Sequence, residues 1–299
     1  MIQYDPHRWL DHFFDIRGAL VREISLRVAT CVIWTAMVVA FHNFYHPVSV
    51  PGFLHSLVGV PLGLLLVFRT NASYDRFWEG RKLWGGIVNE TRNLIRAASL
   101  YFREHPLLLK RVAFWTAVFP WSAMSTLRGD SNFGPLATFI PREKLRDLQE
   151  SQHPALHVAK KMTEVLLEAR GLGITSDIIH ASLDQNIQLL VDYVGGCERI
   201  RKTPLPFAYV VHLRRILVLY CFTLPFAMVD MFGWATILDV AMIAYTFFGI
   251  EEIGVEIEGP FGYDANDLPM EDICTTIQNN VFALAGIGSP QREILPEGL

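Results

Sequence analysis

Phe53–Phe68, FLHSLVGVPLGLLLVF, runs sixteen residues without an acid, a lysine or an arginine and stops at Arg69. A bilayer core needs roughly 20 apolar residues in a helix, so as a span this run must continue as a helix into water. Just upstream lies Val28–Phe41, VATCVIWTAMVVAF, fourteen residues without a charge. His42–His46, HNFYH, extends it to the roughly 20 residues required. Pro47 and Pro51 break it, and the two runs read as a helical hairpin.

Downstream the pattern recurs. Ile216–Val229, ILVLYCFTLPFAMV, follows His212, Arg214 and Arg215. Asp230, Met231, Phe232 and Gly233 read as a tight turn. Trp234–Ile250, WATILDVAMIAYTFFGI, contains Asp239 and ends in an acidic run of Glu251, Glu252, Glu256 and Glu258. Both runs are short for spans, which tilt or local thinning of the bilayer accommodates at modest cost. Between the two hairpins the chain is charged throughout. It has helical periodicity over Lys144–Gln152 and Lys160–Arg170, with Gly171–Gly173 and Gly195–Gly196 as punctuation. Val112–Met124, VAFWTAVFPWSAM, is apolar but only thirteen residues long and holds Pro120. That length fits a buried core helix rather than a span.

These readings predict an all-α membrane protein with four transmembrane helices. Residues 1–27 form an N-terminal segment, 28–69 and 207–254 two transmembrane hairpins, 70–206 a large helical region, and 255–299 a C-terminal segment. Lysine and arginine set the orientation. The connections Asn43–Gly52 and Asp230–Gly233 hold none. The opposite flanks hold Arg17, Arg22, Arg27, Arg69, Arg76, Arg81, Lys82, Arg201, Lys202, Arg214 and Arg215. Both termini and the middle region are therefore expected in the cytoplasm, and the protein in the cell inner membrane.

Composition agrees. The chain of 299 residues is 51% hydrophobic and 19% charged, with mean hydropathy +0.27; disorder needs the opposite balance. Net charge is −4 and the pI about 6.2, which argues against a nucleic-acid partner, where a basic footprint is expected. Cys31, Cys197, Cys221 and Cys274 have no short spacing and form no zinc, redox or disulfide pattern. No Ala-x-Ala-like cleavage site follows the first apolar run.

Val60, Leu64 and Phe68 lie at i, i+4 and i+8, one face of a helix. Such a stripe is most often core. Repeated around an axis by several copies, it makes a hydrophobic constriction that gates by dewetting. Gly59 and Gly63, at i and i+4, allow close approach of a second helix in lipid.

Three longer motifs carry a resemblance. They are Phe68–Gly85 (FRTNASYDRFWEGRKLWG), Ala244–Gly262 (AYTFFGIEEIGVEIEGPFG) and Leu219–Phe226 (LYCFTLPF). Through them the chain resembles the bacterial bestrophin family from about residue 5 to about residue 285. The resemblance implies a homopentameric ion channel with four spans per subunit and a large helical cytoplasmic part. It implies a pore neck at Val60, Leu64 and Phe68 and a second, cytoplasmic aperture at Ile178, which is otherwise read as a core residue. Animal relatives carry aromatics at two of the neck positions; here only Phe68 is aromatic. The passing ion is chloride by family, or sodium or another monovalent cation as in some bacterial members. Its partners are further copies of itself, monovalent ions and the lipid bilayer.

Animal bestrophins bind calcium just after the Pro-Phe-Gly motif. Here Pro260-Phe261-Gly262 precedes Asp264 and Asp267, which keep two acidic ligand positions, while the family's asparagine and glutamine positions are Gly259 and Glu256. Calcium wants six to eight oxygens, so these are weak calcium candidates and no metal or cofactor is expected. His42 with His46, and His153 with His157, have i, i+4 spacing. Without an acidic third ligand nearby the first pair reads as histidines at an outer interface, and Pro154 disturbs the turn of the second. Asp239 inside an apolar run is expected first to pair with Arg214 or Arg215, or else to lie close enough to the interface to stay wet. No phosphate loop, nucleophile elbow or His-Glu-x-x-His occurs, so the reading is not an enzyme. The rival readings are a secondary transporter or exporter of a small solute, and a soluble helical protein whose apolar runs are core.

Overall fold

The structure is a computed structural model that describes His7 and residues 19–288. The remaining N-terminal residues, Arg17 among them, and residues 289–299 lie outside the described residues. Every regular element among the described residues is helical. They are α1 (Ala19–Phe44), α2 (Phe53–Tyr101), α3 (Pro106–Arg128), α4 (Arg142–Glu150), α5 (Pro154–Gly171), α6 (Asp177–Lys202), α7 (Phe207–Phe232), α8 (Thr236–Glu256) and α9 (Met270–Leu284). Short 3₁₀ turns occupy Pro135–Phe139 and Gly233–Ala235.

The chain divides into two compact units. One takes the residues up to Trp78 and Pro204–Asp267; the other takes Glu79–Thr203 and the residues from Leu268 on. The long helix α2 contributes its first half to the first unit and its second half to the second.

In the first unit α8 packs against α1 and α7, and α1 packs against α7. The start of α2 joins them through Leu62 and Leu66, buried with Ile24, Cys31, Leu217, Cys221 and Phe248. Trp34 Nε1 donates to the Phe222 carbonyl at 2.9 Å, a polar tie between α1 and α7. The outer surface of this unit is apolar as well. Ile33, Met37, Leu57, Leu219, Leu238 and Met242 are all exposed. Exposed apolar surface on this scale marks an interaction or membrane face, which counts against the reading as a soluble protein. Three stretches are long and apolar enough to cross a membrane: Leu20–Phe44, the start of Phe53–Tyr101, and Phe207–Glu256. The last is divided into α7 and α8 by the 3₁₀ turn at Gly233–Ala235. At 1.5 Å per residue, α7 and α8 are about 39 Å and about 31 Å long.

The turn is not where the sequence puts it. Asp230, Met231 and Phe232 remain helical, and the chain reverses only at Gly233, whose φ of +52° favours glycine. Pro61 and Pro225 sit inside α2 and α7. Each removes a helical N–H, in stretches where membrane helices carry proline more often than soluble ones do.

The second unit has an ordinary aqueous core. α3 is its centre, buried along most of its length, and packs on α5 and α9. The expected buried apolar segment Val112–Met124 forms most of α3. Pro106 occupies its first turn, where its missing N–H costs nothing. Gly129, with φ +73°, ends it in the left-handed conformation. Gly171–Gly173 closes α5 as expected. Gly195 and Gly196 do not punctuate anything: both lie inside α6. The absent side chain of Gly196 serves packing, since a Cβ there would sit 2.9 Å from Leu83 of α2, whereas one on Gly195 would meet nothing within 4 Å.

Candidate functional site

The first half of α2 has two unlike sides. Leu62, Leu66, Arg69 and Ser73 are buried within the first unit. Val60, Leu64 and Phe68 point the other way, 67%, 53% and 62% exposed. The four-residue spacing holds them on one helical face, and the continuous apolar core on the opposite side fixes the helix's rotation. The core reading of the stripe is therefore excluded within the chain. Gly59 and Gly63 part company in the same way. A Cβ at Gly59 would lie 3.0 Å from the Tyr220 hydroxyl, whereas nothing approaches Gly63 within 4 Å. Two bonds anchor this part of α2 to α7. His55 Nε2 and Thr223 Oγ1 are 2.8 Å apart, and Tyr209 Oη donates to the Leu65 carbonyl at 2.7 Å.

Immediately after the stripe the chain buries a charge. Arg69 Nη1 donates to Glu251 Oε1 at 2.7 Å, and both side chains are almost wholly inaccessible. Arg214 Nε reaches the same oxygen at 2.7 Å, and Arg27 Nη1 reaches Oε2 at 3.4 Å. Arg27 also donates to Glu252 at 2.7 Å, and Glu258 stands 3.8 Å from Arg69. Four elements, α1, α2, α7 and α8, thus meet at one carboxylate. Sequence reasoning missed this cluster because it read each arginine as an orientation signal. The available clue was that Arg69 and Glu251 terminate two apolar runs at the same end.

Ile178 belongs to the second unit. It lies in the first turn of α6, just after Ser176, whose Oγ accepts from the Ile179 N–H. Ile178 is 83% exposed, so it is not a core residue.

Asp264 and Asp267 are brought together as a turn. The Asp264 N–H donates to Asp267 Oδ2 at 2.8 Å, and Asp267 is buried. Asn266 Nδ2 donates to Glu256 Oε2 at 2.5 Å. Among the described residues no group of three or more metal-ligating side chains converges.

The first histidine pair separates. His42 faces Asp230 at 3.4 Å and accepts from the Val48 N–H, while His46 lies beyond the end of α1. His153 precedes α5 and faces Glu198 at 3.8 Å. The expected pairing of Asp239 with Arg214 or Arg215 is wrong. Asp239 sits in the first turn of α8, and Arg214 is bound to Glu251 near the other end of that helix. Twelve residues of helix put about 18 Å between the two positions. The positive end of the α8 dipole, not an arginine, neighbours the Asp239 carboxylate.

Comparison with known proteins bears on this arrangement. The family model described as "Bacterial/Fungal Bestrophin protein" matches residues 1–283. A voltage-dependent anion channel-forming protein of Nostoc sp. is 40% identical over 286 residues, covering 93% of this chain and 92% of that protein. The voltage-dependent anion channel-forming protein YneE of Escherichia coli is 31% identical over 299 residues, covering 99% and 98%. The crystal structure of a bacterial bestrophin homolog from Klebsiella pneumoniae superposes with TM-score 0.84 at 30% identity, covering 89% of this chain and 100% of that one. The motifs, the all-helical fold with its apolar-surfaced unit, and these matches agree: the chain is a membrane protein of the bacterial bestrophin family.

Proposed function

We propose that this protein is an anion channel, with chloride as the physiological ion, formed by five copies around a shared axis. The observation that carries the reading is the exposed apolar stripe of Val60, Leu64 and Phe68 on a helix whose opposite face is fully packed. One chain cannot enclose a passage with such a face; a ring of chains can. The neck so formed is narrow and greasy, and it gates by dewetting. The ring edge of Phe68 carries partial positive charge and favours an anion there. The names of the relatives in Nostoc and Escherichia coli support the anion. Ile178, exposed at the start of α6, forms the second aperture.

In this reading α1, the start of α2, α7 and α8 are the four spans. Residues 28–69 and 207–254 make the two transmembrane hairpins. Residues 70–206, the N-terminal segment 1–27 and the C-terminal segment 255–299 lie in the cytoplasm of an inner-membrane protein. Arginine supports that orientation, since Arg27, Arg69 and Arg214 gather at one end of the apolar helices.

A reversal-potential measurement on purified protein in a planar bilayer, under asymmetric sodium chloride, tests the proposal. A current reversing near the chloride equilibrium potential is expected. Reversal toward the sodium potential overturns the anion assignment, and flux too slow to appear as single-channel steps overturns the channel in favour of a transporter.

A further inference from the structure

The first unit contains a cavity of about 190 Å³ lined by Arg27, Arg214, Leu217, Val218, Phe248 and Glu251. Its two ends differ chemically. At one end Glu251, buried, holds Arg214 by its Nε and Arg27 by its Nη1. A guanidinium has five donors in a planar fork. Among the described residues the terminal amino groups of Arg214, and the Nη2 and Nε of Arg27, have no protein acceptor. Both side chains are about half exposed. Arg27, Arg69 and Arg214 face Glu251, Glu252 and Glu258, so the formal charges of the cluster balance, and it is the unused guanidinium donors of Arg27 and Arg214 that offer a site to an anion.

At the other end the wall is apolar. Leu217 and Val218 follow Arg214 at i+3 and i+4 and so lie on the same face of α7, one turn further into the apolar length of the helix. Phe248 closes that side from α8. Val218 is exposed and continues into the apolar outer surface at Leu219. The cavity therefore has arginines at the end of the spans and hydrocarbon where the spans are greasiest.

From this arrangement we infer that the cavity binds the headgroup of an anionic phospholipid. The phosphate takes the free donors of Arg214 and Arg27, in the fork geometry that suits arginine. The first acyl carbons lie along Leu217, Val218 and Phe248. Basic pockets between membrane helices select anionic lipid in this way. A free anion would satisfy the arginines but leave the apolar wall unused, which is why a lipid is the better occupant. The inference rests on the membrane placement of the first unit and not on the ion pathway, and its test needs no current.

The test uses full-length protein purified in neutral detergent, with lipid binding read by native mass spectrometry and thermal unfolding. Phosphatidylglycerol, phosphatidylcholine, inorganic phosphate and glycerol 3-phosphate are the probes. Phosphatidylglycerol is expected to bind at least about tenfold more tightly than phosphatidylcholine and to raise the melting temperature. Arg214→Gln is expected to erase that preference. Val218→Trp fills the apolar end without touching a charge, so it judges the proposal even if the arginine variant fails to fold; it too is expected to weaken phosphatidylglycerol. Equal retention of the two lipids overturns the inference, as does an unchanged preference in Val218→Trp. Stabilisation by inorganic phosphate or glycerol 3-phosphate matching that by phosphatidylglycerol also overturns it, because the site would then belong to a free anion.

Discussion

Arg69 and Glu251 stand 182 positions apart in the chain and meet at 2.7 Å with both side chains withdrawn from solvent. The pair ties the end of the apolar half of α2 to the end of α8. Its energetics are asymmetric. A buried ion pair adds little net stability over an apolar replacement, but removing one partner leaves an uncompensated charge and costs about 3–5 kcal/mol. Glu251→Gln leaves Arg69 with only the more distant Glu258 at 3.8 Å and loosens Arg27 and Arg214 at once, so a cost toward the lower end of that range is expected. Glu252→Gln removes one contact of Arg27, which is half exposed and keeps Glu251. Glu252 is buried, but the charge left behind is the half-exposed Arg27, which water can solvate, so the cost is about 1 kcal/mol or less. Thermal unfolding in detergent should show a large drop for Glu251→Gln and a small one for Glu252→Gln; equal drops would refute the asymmetry.

The proposed neck gives a prediction of opposite kind. Val60, Leu64 and Phe68 touch little within their own chain. Replacing all three with alanine widens the neck and makes it less apolar, so it wets more readily. Single-channel conductance in a bilayer should rise. The chain's own packing changes little, since substitutions away from a packed core usually stay within about 0.5 kcal/mol. Unchanged conductance in the triple variant would remove these residues from the pathway.

Glycines inside α2 and α6 separate packing from helix propensity. A Cβ on Gly86 would stand 2.5 Å from the Tyr193 ring, while one on Gly195 meets nothing within 4 Å. Alanine gains up to about 1 kcal/mol over glycine in a helix, and overpacking costs about 1–3 kcal/mol. Gly195→Ala should therefore raise the melting temperature and Gly86→Ala should lower it. The double variant Gly86→Ala with Tyr193→Ala should recover part of the loss, because the second change removes the obstructing ring. A Gly86→Ala protein as stable as the parent would mean that Tyr193 moves aside freely.

Much of this fold is legible in the sequence, for a physical reason. Uncharged runs such as Val28–Phe41 and Phe53–Phe68 leave a helix little choice, and Pro47 stops the first where expected. The stripe at Val60, Leu64 and Phe68 is a matter of spacing alone. The positions that misled are those where local and tertiary signals conflict. Gly195–Gly196 reads as a break, but α6 runs through it, with Leu83 of α2 lying where a Gly196 side chain would be. Asp239 reads as a partner for arginine because an acid in an apolar run invites one. Its place in the first turn of α8 depends on where the helix begins, which the Asp230–Gly233 segment obscured. The Arg69–Glu251 pair needs two helices to be aligned end to end, and no spacing within a single helix encodes that.

One ion pair of the second unit should add to the acid sensitivity. Arg128 of α3 bonds Glu271 in the first turn of α9, its Nη2 lying 3.3 Å from Oε2. That hydrogen bond holds the Glu271 carboxyl below its ordinary value of 4.5. A depressed carboxylate stabilises the folded state above its unfolded value and loses that contribution as pH falls through the folded value. Stability from this pair should therefore be complete above about pH 4.5 and decline below it. Arg128 is buried but Glu271 is half exposed, so solvent screening on the carboxylate side keeps the contribution to about 1 kcal/mol. Glu271→Gln should lower the melting temperature slightly at pH 7 and by less at pH 3. An equal deficit at both values would show that the pair acts through packing rather than charge.

Calcium should be dispensable. Asp267 spends Oδ2 on the Asp264 N–H, and a Cβ on Gly262 would stand 2.8 Å from that same oxygen, so the carboxylate is packed into its own turn. Asn266 is likewise committed to Glu256. Six to eight oxygens converging on one ion are needed for a calcium site, and opening this turn to supply them would forfeit bonds it already makes. Chelation should leave bilayer current and melting temperature unchanged. Asp267→Ala should lower the melting temperature by the same amount with and without calcium, as expected for a buried acceptor worth about 1–3 kcal/mol to the groups it satisfies. A calcium-dependent melting temperature in the native protein that vanishes in Asp267→Ala would instead establish the turn as a metal site.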